Sequence, residues 1–267
     1  MQKRGQVAIF VVIGIAVLIV FILLFTFRDA IVGITKKQID TEQYLNDQLL
    51  TIQREVIDKC VVDETNNAVN LFLKNGGQFN EPSNYLKYST IKYKVLCQNI
   101  PGSQNCLSTP ISIKKINEDF NSYLKDNVFQ CMDFTDFQND NYELILPDEF
   151  LLNVQINSND ILVEADYVVE LKRDQYDVKG KKVTETFDIP LGEIIEATNG
   201  VLDFRSKFGI FDPVVYDATS HSKYEVTVEK PYPDEVYDVS LREYPNFHFK
   251  FAITSEGRYD RLETSRI

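Results

Sequence analysis

Residues 7–27 read VAIFVVIGIAVLIVFILLFTF, 21 consecutive positions without a charge. As an α-helix rising 1.5 Å per residue the run spans about 31 Å, close to the thickness of a bilayer's hydrocarbon core. Soluble core helices are rarely apolar on every side over such a length, because one face must meet water. A secretory signal would have a shorter apolar run, about 7–15 residues, followed by a small-x-small cleavage site that is missing here. The stretch therefore predicts a single-pass transmembrane helix. Residues 1–6 then form a short cytoplasmic N-terminus, and the rest of the chain lies across the membrane from them.

Basic residues alone leave the orientation nearly balanced. Lys3 and Arg4 stand on one side of the span and Arg28, Lys36 and Lys37 on the other, and acidic residues carry little weight in the positive-inside rule. Cysteine usage favours an extracellular C-terminal domain.

The chain has 28 Lys plus Arg against 40 Asp plus Glu, a formal charge of −12. Such a balance argues against nucleic acid as a partner, which would call for clustered basic charge. Residues 28–267 keep 26 basic and 40 acidic side chains, a charge of −14. The excess is concentrated late: residues 28–141 hold 12 basic and 15 acidic residues, and residues 142–267 hold 14 and 25. An acidic surface of this kind is a solvated surface that resists adsorption to anionic lipid, with cation or basic-partner binding as the sharper alternative. The 18 Phe and 14 Tyr suffice for a folded core.

Beyond the anchor, Leu45, Leu49, Ile52, Val56 and Cys60 recur at helical spacing, and Val69, Phe72 and Leu73 extend the stripe. Gly76 and Gly77 supply a stop, so the pattern predicts a helix from about Tyr44 to Asn75. Its apolar stripe packs on its own domain or on another copy. Alternation at Ile91, Tyr93, Val95 and Cys97 predicts a short strand, and residues 112–131 a second helix with Ile113, Ile116, Phe120, Leu124, Val128 and Cys131 on one face. From Tyr142 onward the texture changes. Val154 and Ile156, then Ile161 through Leu171, alternate with polar residues, and a turn over Asp177–Lys181 containing Gly180 precedes another alternating run. Antiparallel sheet is expected there, with a short helix over Pro190–Phe204 and late strands over Tyr224–Glu229 and Phe247–Ile253. The fold class is α+β: a membrane helix (7–27), a helical membrane-proximal region with the cysteines (28–141) and an acidic β-rich region (142–267).

Cys60 and Cys131 sit on apolar helical faces, whereas Cys97 and Cys106 flank a polar loop. The simplest pairing joins Cys60 to Cys131 and Cys97 to Cys106, although four cysteines permit three connectivities. Free thiols and a metal site are the alternatives. A zinc site would show close CxxC pairs or nearby His ligands, and both His lie more than 80 residues beyond Cys131.

Catalytic patterns are sparse. No GxSxG, HExxH or GxxxxGK[ST] occurs, and His221 and His248 have no sequence neighbour that marks them as bases. Asp174, Asp177 and Gly180, or Asp133, Asp136 and Asp140, lack the alternating spacing of a calcium loop. No metal, cofactor or enzymatic activity is expected.

The opening KRGQVAIFVVIGIAVLIV, residues 3–20, resembles the N-termini of archaeal membrane proteins with class III, type IV pilin-like signal sequences. That resemblance implies cleavage by a prepilin-type peptidase between Gly5 and Gln6. Phe10 stands at the fifth position after that bond, where such sequences often carry Glu. The chain also looks similar to a group of single-pass archaeal proteins, through Cys60 with Gly76–Gly77, through Cys131 with Phe134 and Phe137, and through DYVVEL at 166–171 and FHFKFAI at 247–253. Two function classes follow. One is a surface-displayed structural or interaction protein whose partners are the bilayer and envelope proteins or its own copies. The other is a pilin-like filament subunit. An ectoenzyme is a third and weaker class.

Overall fold

The computed structural model describes residues 13–23, 41–100, 102, 105–219, 223–231 and 233–254. Residues 13–23 are helical, and their large apolar side chains from Ile13 to Leu23 are 49–60 % exposed. Among the described residues no helix is long and apolar enough to cross a membrane. The flanking parts of the Val7–Phe27 run, and with them the Gly5–Gln6 bond, lie outside the described residues.

The chain divides into two contact units. One comprises Met1–Gln53, Thr135–Leu146 and Val168–Gly180. The other comprises Arg54–Phe134, Pro147–Tyr167 and Lys181–Ile267. The change in texture near Asn141 thus falls inside a unit and not between two, because strand pairing joins residues that composition separates.

Residues 41–74 are helical throughout, as α1 (41–52), a π turn over Gln53–Asp58 and α2 (Lys59–Lys74). The expected apolar stripe is buried except at its end: Leu45, Leu49, Ile52, Val56, Cys60, Val69 and Phe72 are all at most 5 % exposed, and Leu73 is half-buried. The Gly pair ends the helix in a Schellman arrangement. Gly77 N–H donates to Phe72 O at 2.8 Å and Gly76 N–H to Leu73 O at 3.2 Å, with φ of +65° and +90° at Gly76 and Gly77.

Strands β1 (Tyr85–Tyr88), β2 (Ile91–Asn99) and β3 (Cys106–Ser108) follow, then α3 (Ile113–Cys131). Ser112 caps α3 by accepting from Lys115 N–H. Next come β4 (Glu143–Ile145), β5 (Leu151–Ile156), β6 (Ile161–Asp166), β7 (Glu170–Arg173), β8 (Tyr176–Lys179) and β9 (Val183–Phe187). The chain continues through α4 (Leu191–Phe208), α5 (Pro213–Thr219), β10 (Tyr224–Glu229), β11 (Glu235–Leu241) and β12 (Tyr244–Thr254).

In the first unit, α1 accompanies a three-stranded sheet of order β4-β7-β8. The β7–β8 hairpin turns at Asp174–Gln175, where Asp174 takes φ +55°. The expected turn over Asp177–Lys181 is thereby corrected. Asp tolerates the left-handed conformation, so the chain reverses three residues earlier. Gly180 instead ends β8, its N–H donating to Val169 O at 2.8 Å. Glu170 is held between Lys172 and Lys179, at 3.0 and 3.1 Å.

The second unit contains two sheets. The smaller has the order β5-β6-β9, and the larger runs β1-β2-β12-β11-β10, with β3 also on β2. All pairings among the named strands of residues 142–267 are antiparallel, as the alternation predicts. The exception to antiparallel pairing reaches outside that region: β12 pairs with β2 in parallel, Ala252 opposite Val95. Helix α3 packs on β5 and on α2, while α4 packs on β11 and β3. The run from Ile161 to Leu171 is one alternation but two strands. Its odd positions 161, 163, 165, 167, 169 and 171 are all buried, yet β6 and β7 belong to different sheets.

Candidate functional site

The four cysteines form two disulfides, Cys60–Cys131 and Cys97–Cys106, and no cysteine is free. Cys60 lies on the buried face of α2 and Cys131 is the last residue of α3, so the first bridge ties the two helices that pack together. Their Cα atoms are 5.7 Å apart across a sequence separation of 71. The second bridge crosses the β2–β3 hairpin diagonally, since Cys97 faces Ser108 and Cys106 faces Asn99 in the register. Ser206 Oγ on α4 donates to Cys106 O at 3.2 Å and fixes that hairpin to the helix. Oxidised in pairs, these sulfurs brace the fold and offer no thiolate nucleophile.

His248 Nδ1 lies 2.9 Å from Asp238 Oδ1, and Lys250 Nζ 3.1 Å from Asp238 Oδ2. Both contacts lie on the sheet surface. His221, Gly5 and Gln6 lie outside the described residues. Among the described residues no group of three His, Cys, Asp or Glu is arranged to hold a metal ion. Asp174 and Asp177 belong to the β7–β8 hairpin, at its turn and in its second strand.

A buried polar network stands behind the end of α4, and nothing in the sequence pattern announced it. Arg205 Nε donates to Glu235 Oε2 at 3.3 Å, and Tyr237 Oη donates to the same oxygen at 2.8 Å. The Arg205 guanidinium also donates to Gly209 O and, at 3.4 Å, to Asn99 Oδ1. Burial, and then the Glu235 carboxylate, push the Tyr237 phenol well above its ordinary pKa. Removing one partner would strand a buried charge, so this network holds the α4 terminus in one conformation.

The loop it holds is apolar and exposed. Gly209, at φ +73°, ends α4 with its N–H on Arg205 O. Asp212 Oδ1 accepts from the N–H groups of Val214 and Val215, at 2.9 and 3.3 Å, and starts α5. Between them Phe211 is buried against Phe204, Tyr216 and Tyr237, with ring centroids 5.6, 5.2 and 5.4 Å away. Tyr216 donates to Ala197 O at 3.1 Å, and burial pushes its pKa up to about 12. On this aromatic base Phe208, Ile210, Val214 and Val215 turn outward, 62, 67, 77 and 48 % exposed. The sequence reading passed over FGIFDPVV at 208–215, where an apolar run with turn residues is the signal that could have found it.

Two further open grooves lie on the second unit. One, about 500 Å³, is lined by Ile113, Ile156, Gly192, Ile195, Glu196 and Asn199. The other, about 580 Å³ and mostly polar, has Phe79 stacked on Tyr123 at 4.2 Å, with Asp119 and Asp126 along its wall. No family model, no curated protein and no solved structure matches this chain.

Proposed function

We propose that this chain is a membrane-anchored, extracytoplasmic protein of the cell surface, with a structural or interaction role and no catalysis. The observation that carries the reading is the combination of a 21-residue uncharged run with four cysteines that all pair as disulfides. Disulfides persist in oxidising compartments, and the run has the length of a bilayer span. The acidic remainder is the surface such a domain would present to solvent and to envelope partners.

The opening KRGQVAIF favours a second reading, a pilin-like subunit cut between Gly5 and Gln6. One set of measurements on protein from its native cells separates these. Retention in membranes after a high-salt wash, removal of the domain by protease added to intact cells, and an N-terminus at or beside Met1 support the anchor. An N-terminus at Gln6 in isolated filaments supports the pilin. Release of the full chain by the salt wash, or protection from external protease, overturns both.

A further inference from the structure

We propose that the apolar tip Phe208–Val215 docks into the outer face of the bilayer that anchors the chain, an inference that rests on the anchor reading above. Four large apolar side chains are exposed within eight residues, at 62, 67, 77 and 48 %. Together they expose several hundred Å², on the order of the largest apolar patch of an ordinary monomer. The exposure is built into the fold, since Arg205 holds Gly209 O, Asp212 caps α5 and Phe211 is wedged among three rings. A tip already fixed in its docking conformation loses little entropy on contact.

Size and charge select the occupant. A patch of this area is smaller than the roughly 800 Å² per partner of a stable protein complex, so tip-to-tip pairing of two copies would be weak. A bilayer demands area and no matching shape. The tip also carries little charge for an acidic domain. Its single charged residue, Asp212, is turned onto backbone N–H groups, and the adjacent Lys207 and Arg242 are paired with Asp203 and Asp217 at 2.6 and 2.8 Å. A basic protein partner would be drawn to the acidic surface elsewhere, whereas uncharged acyl chains suit this tip.

Reach supplies the last element. Between the end of the apolar run at Phe27 and the start of α1, residues 28–40 can span at most about 45 Å. The chain beyond the run is therefore tethered to the bilayer at high effective concentration, where an apolar contact too weak for a free protein is populated.

The chain contains no Trp, so a single introduced indole reports its own surroundings. Full-length chains carrying Phe208→Trp, Val214→Trp, Phe21→Trp or Tyr85→Trp would be reconstituted into phosphatidylcholine vesicles with and without brominated acyl chains. Tyr85 lies on β1, at the opposite end of the sheet order from β10, which α5 contacts. Bromine should quench the indoles at 21, 208 and 214 by about twofold or more and leave that at 85 bright. If the indole at 21 is unquenched, the anchor reading fails and takes this proposal with it. Quenching at 21 with none at 208 and 214 overturns the tip contact alone. A blue shift at 208 and 214 without bromine quenching assigns the tip to a contact with protein, its own chain or a second copy, and equal quenching at 85 means indiscriminate adsorption. Either result overturns the proposal.

Discussion

The side-chain amide of Asn121 pairs with the backbone of Val154 in both directions. Its Nδ2 donates to Val154 O at 3.2 Å and its Oδ1 accepts from Val154 N–H at 2.9 Å. One turn earlier on α3, Asn117 Oδ1 accepts from Ile156 N–H at 2.9 Å. Strand β5 is an edge strand, and these two amides stand where another strand would otherwise bind. Asn199 on α4 does the same for Ile111, at 2.8 and 2.9 Å.

Asn121→Leu should therefore cost about 2 kcal/mol, because it leaves a part-buried donor and acceptor without partners. Asn117→Leu, which strands one group, should cost about 1 kcal/mol. Urea unfolding of the two variants should place Asn121→Leu at the lower midpoint. Equal midpoints would mean that water replaces the amide at no cost.

Removing the Cys60–Cys131 bridge by a double Ser substitution should destabilise more than removing Cys97–Cys106. The separations of 71 and 9 residues correspond to about 4 and about 2.5 kcal/mol in the chain-entropy picture. Thermal unfolding measures the order. Alkylation of the native protein under denaturing conditions without reductant should label no cysteine.

Gly192→Ala should be strongly destabilising. A Cβ at this position, in the first turn of α4, would stand 2.3 Å from Asn157 O and 2.8 Å from its carbonyl carbon, and backbone cannot yield as a side chain can. A loss of about 2–3 kcal/mol is expected. Gly102→Ala, where nothing lies within 4 Å and only a φ of +77° objects, should cost about 1 kcal/mol. Guanidinium unfolding of both variants would show the difference.

Alkaline pH should weaken the fold from about pH 10 upward. Below pH 10 Tyr216 is protonated whether folded or unfolded and contributes nothing to the pH dependence. Between pH 10 and about 12 the unfolded phenol ionises while the folded one keeps its proton, so stability falls with rising pH. The loss amounts to about 2–3 kcal/mol by pH 12, and Tyr237, raised in the same direction, adds to it. Tyr216→Phe should flatten part of this fall in unfolding experiments between pH 9 and 11. Ultraviolet titration should show these two tyrosines ionising only as the protein unfolds.

Legibility followed the range of the interactions. The stripe from Leu45 to Phe72, its Gly76–Gly77 stop and the α3 face of Ile116, Phe120, Leu124 and Val128 repeat within single helices, so periodicity disclosed them, although Ile113 and Cys131 at the two ends of the expected α3 face are exposed. The helix over Pro190–Phe204 was legible too, but it runs on to Phe208, because Arg205 and the base of the tip hold the extra turn. Strands β1, β3, β4, β8 and β11 escaped notice. The first four are only three or four residues long, and β11 buries Val236, Tyr237, Val239, Ser240 and Leu241 on both its faces, which erases the alternation.

By itself the sequence determined the α+β class, the two amphipathic helices and the antiparallel character of the later strands, each through short-range spacing or turn chemistry, and it left three disulfide connectivities open, of which the tertiary structure takes the simplest. Only the tertiary structure decided that Ile161–Leu171 splits between two sheets, that β12 joins β2 in parallel and that Arg205 meets Glu235 behind an exposed apolar tip. Those partners lie 30 to about 157 residues apart in the chain. Closing such distances is favourable only when the whole apolar core closes with them, so no local pattern records which residues meet.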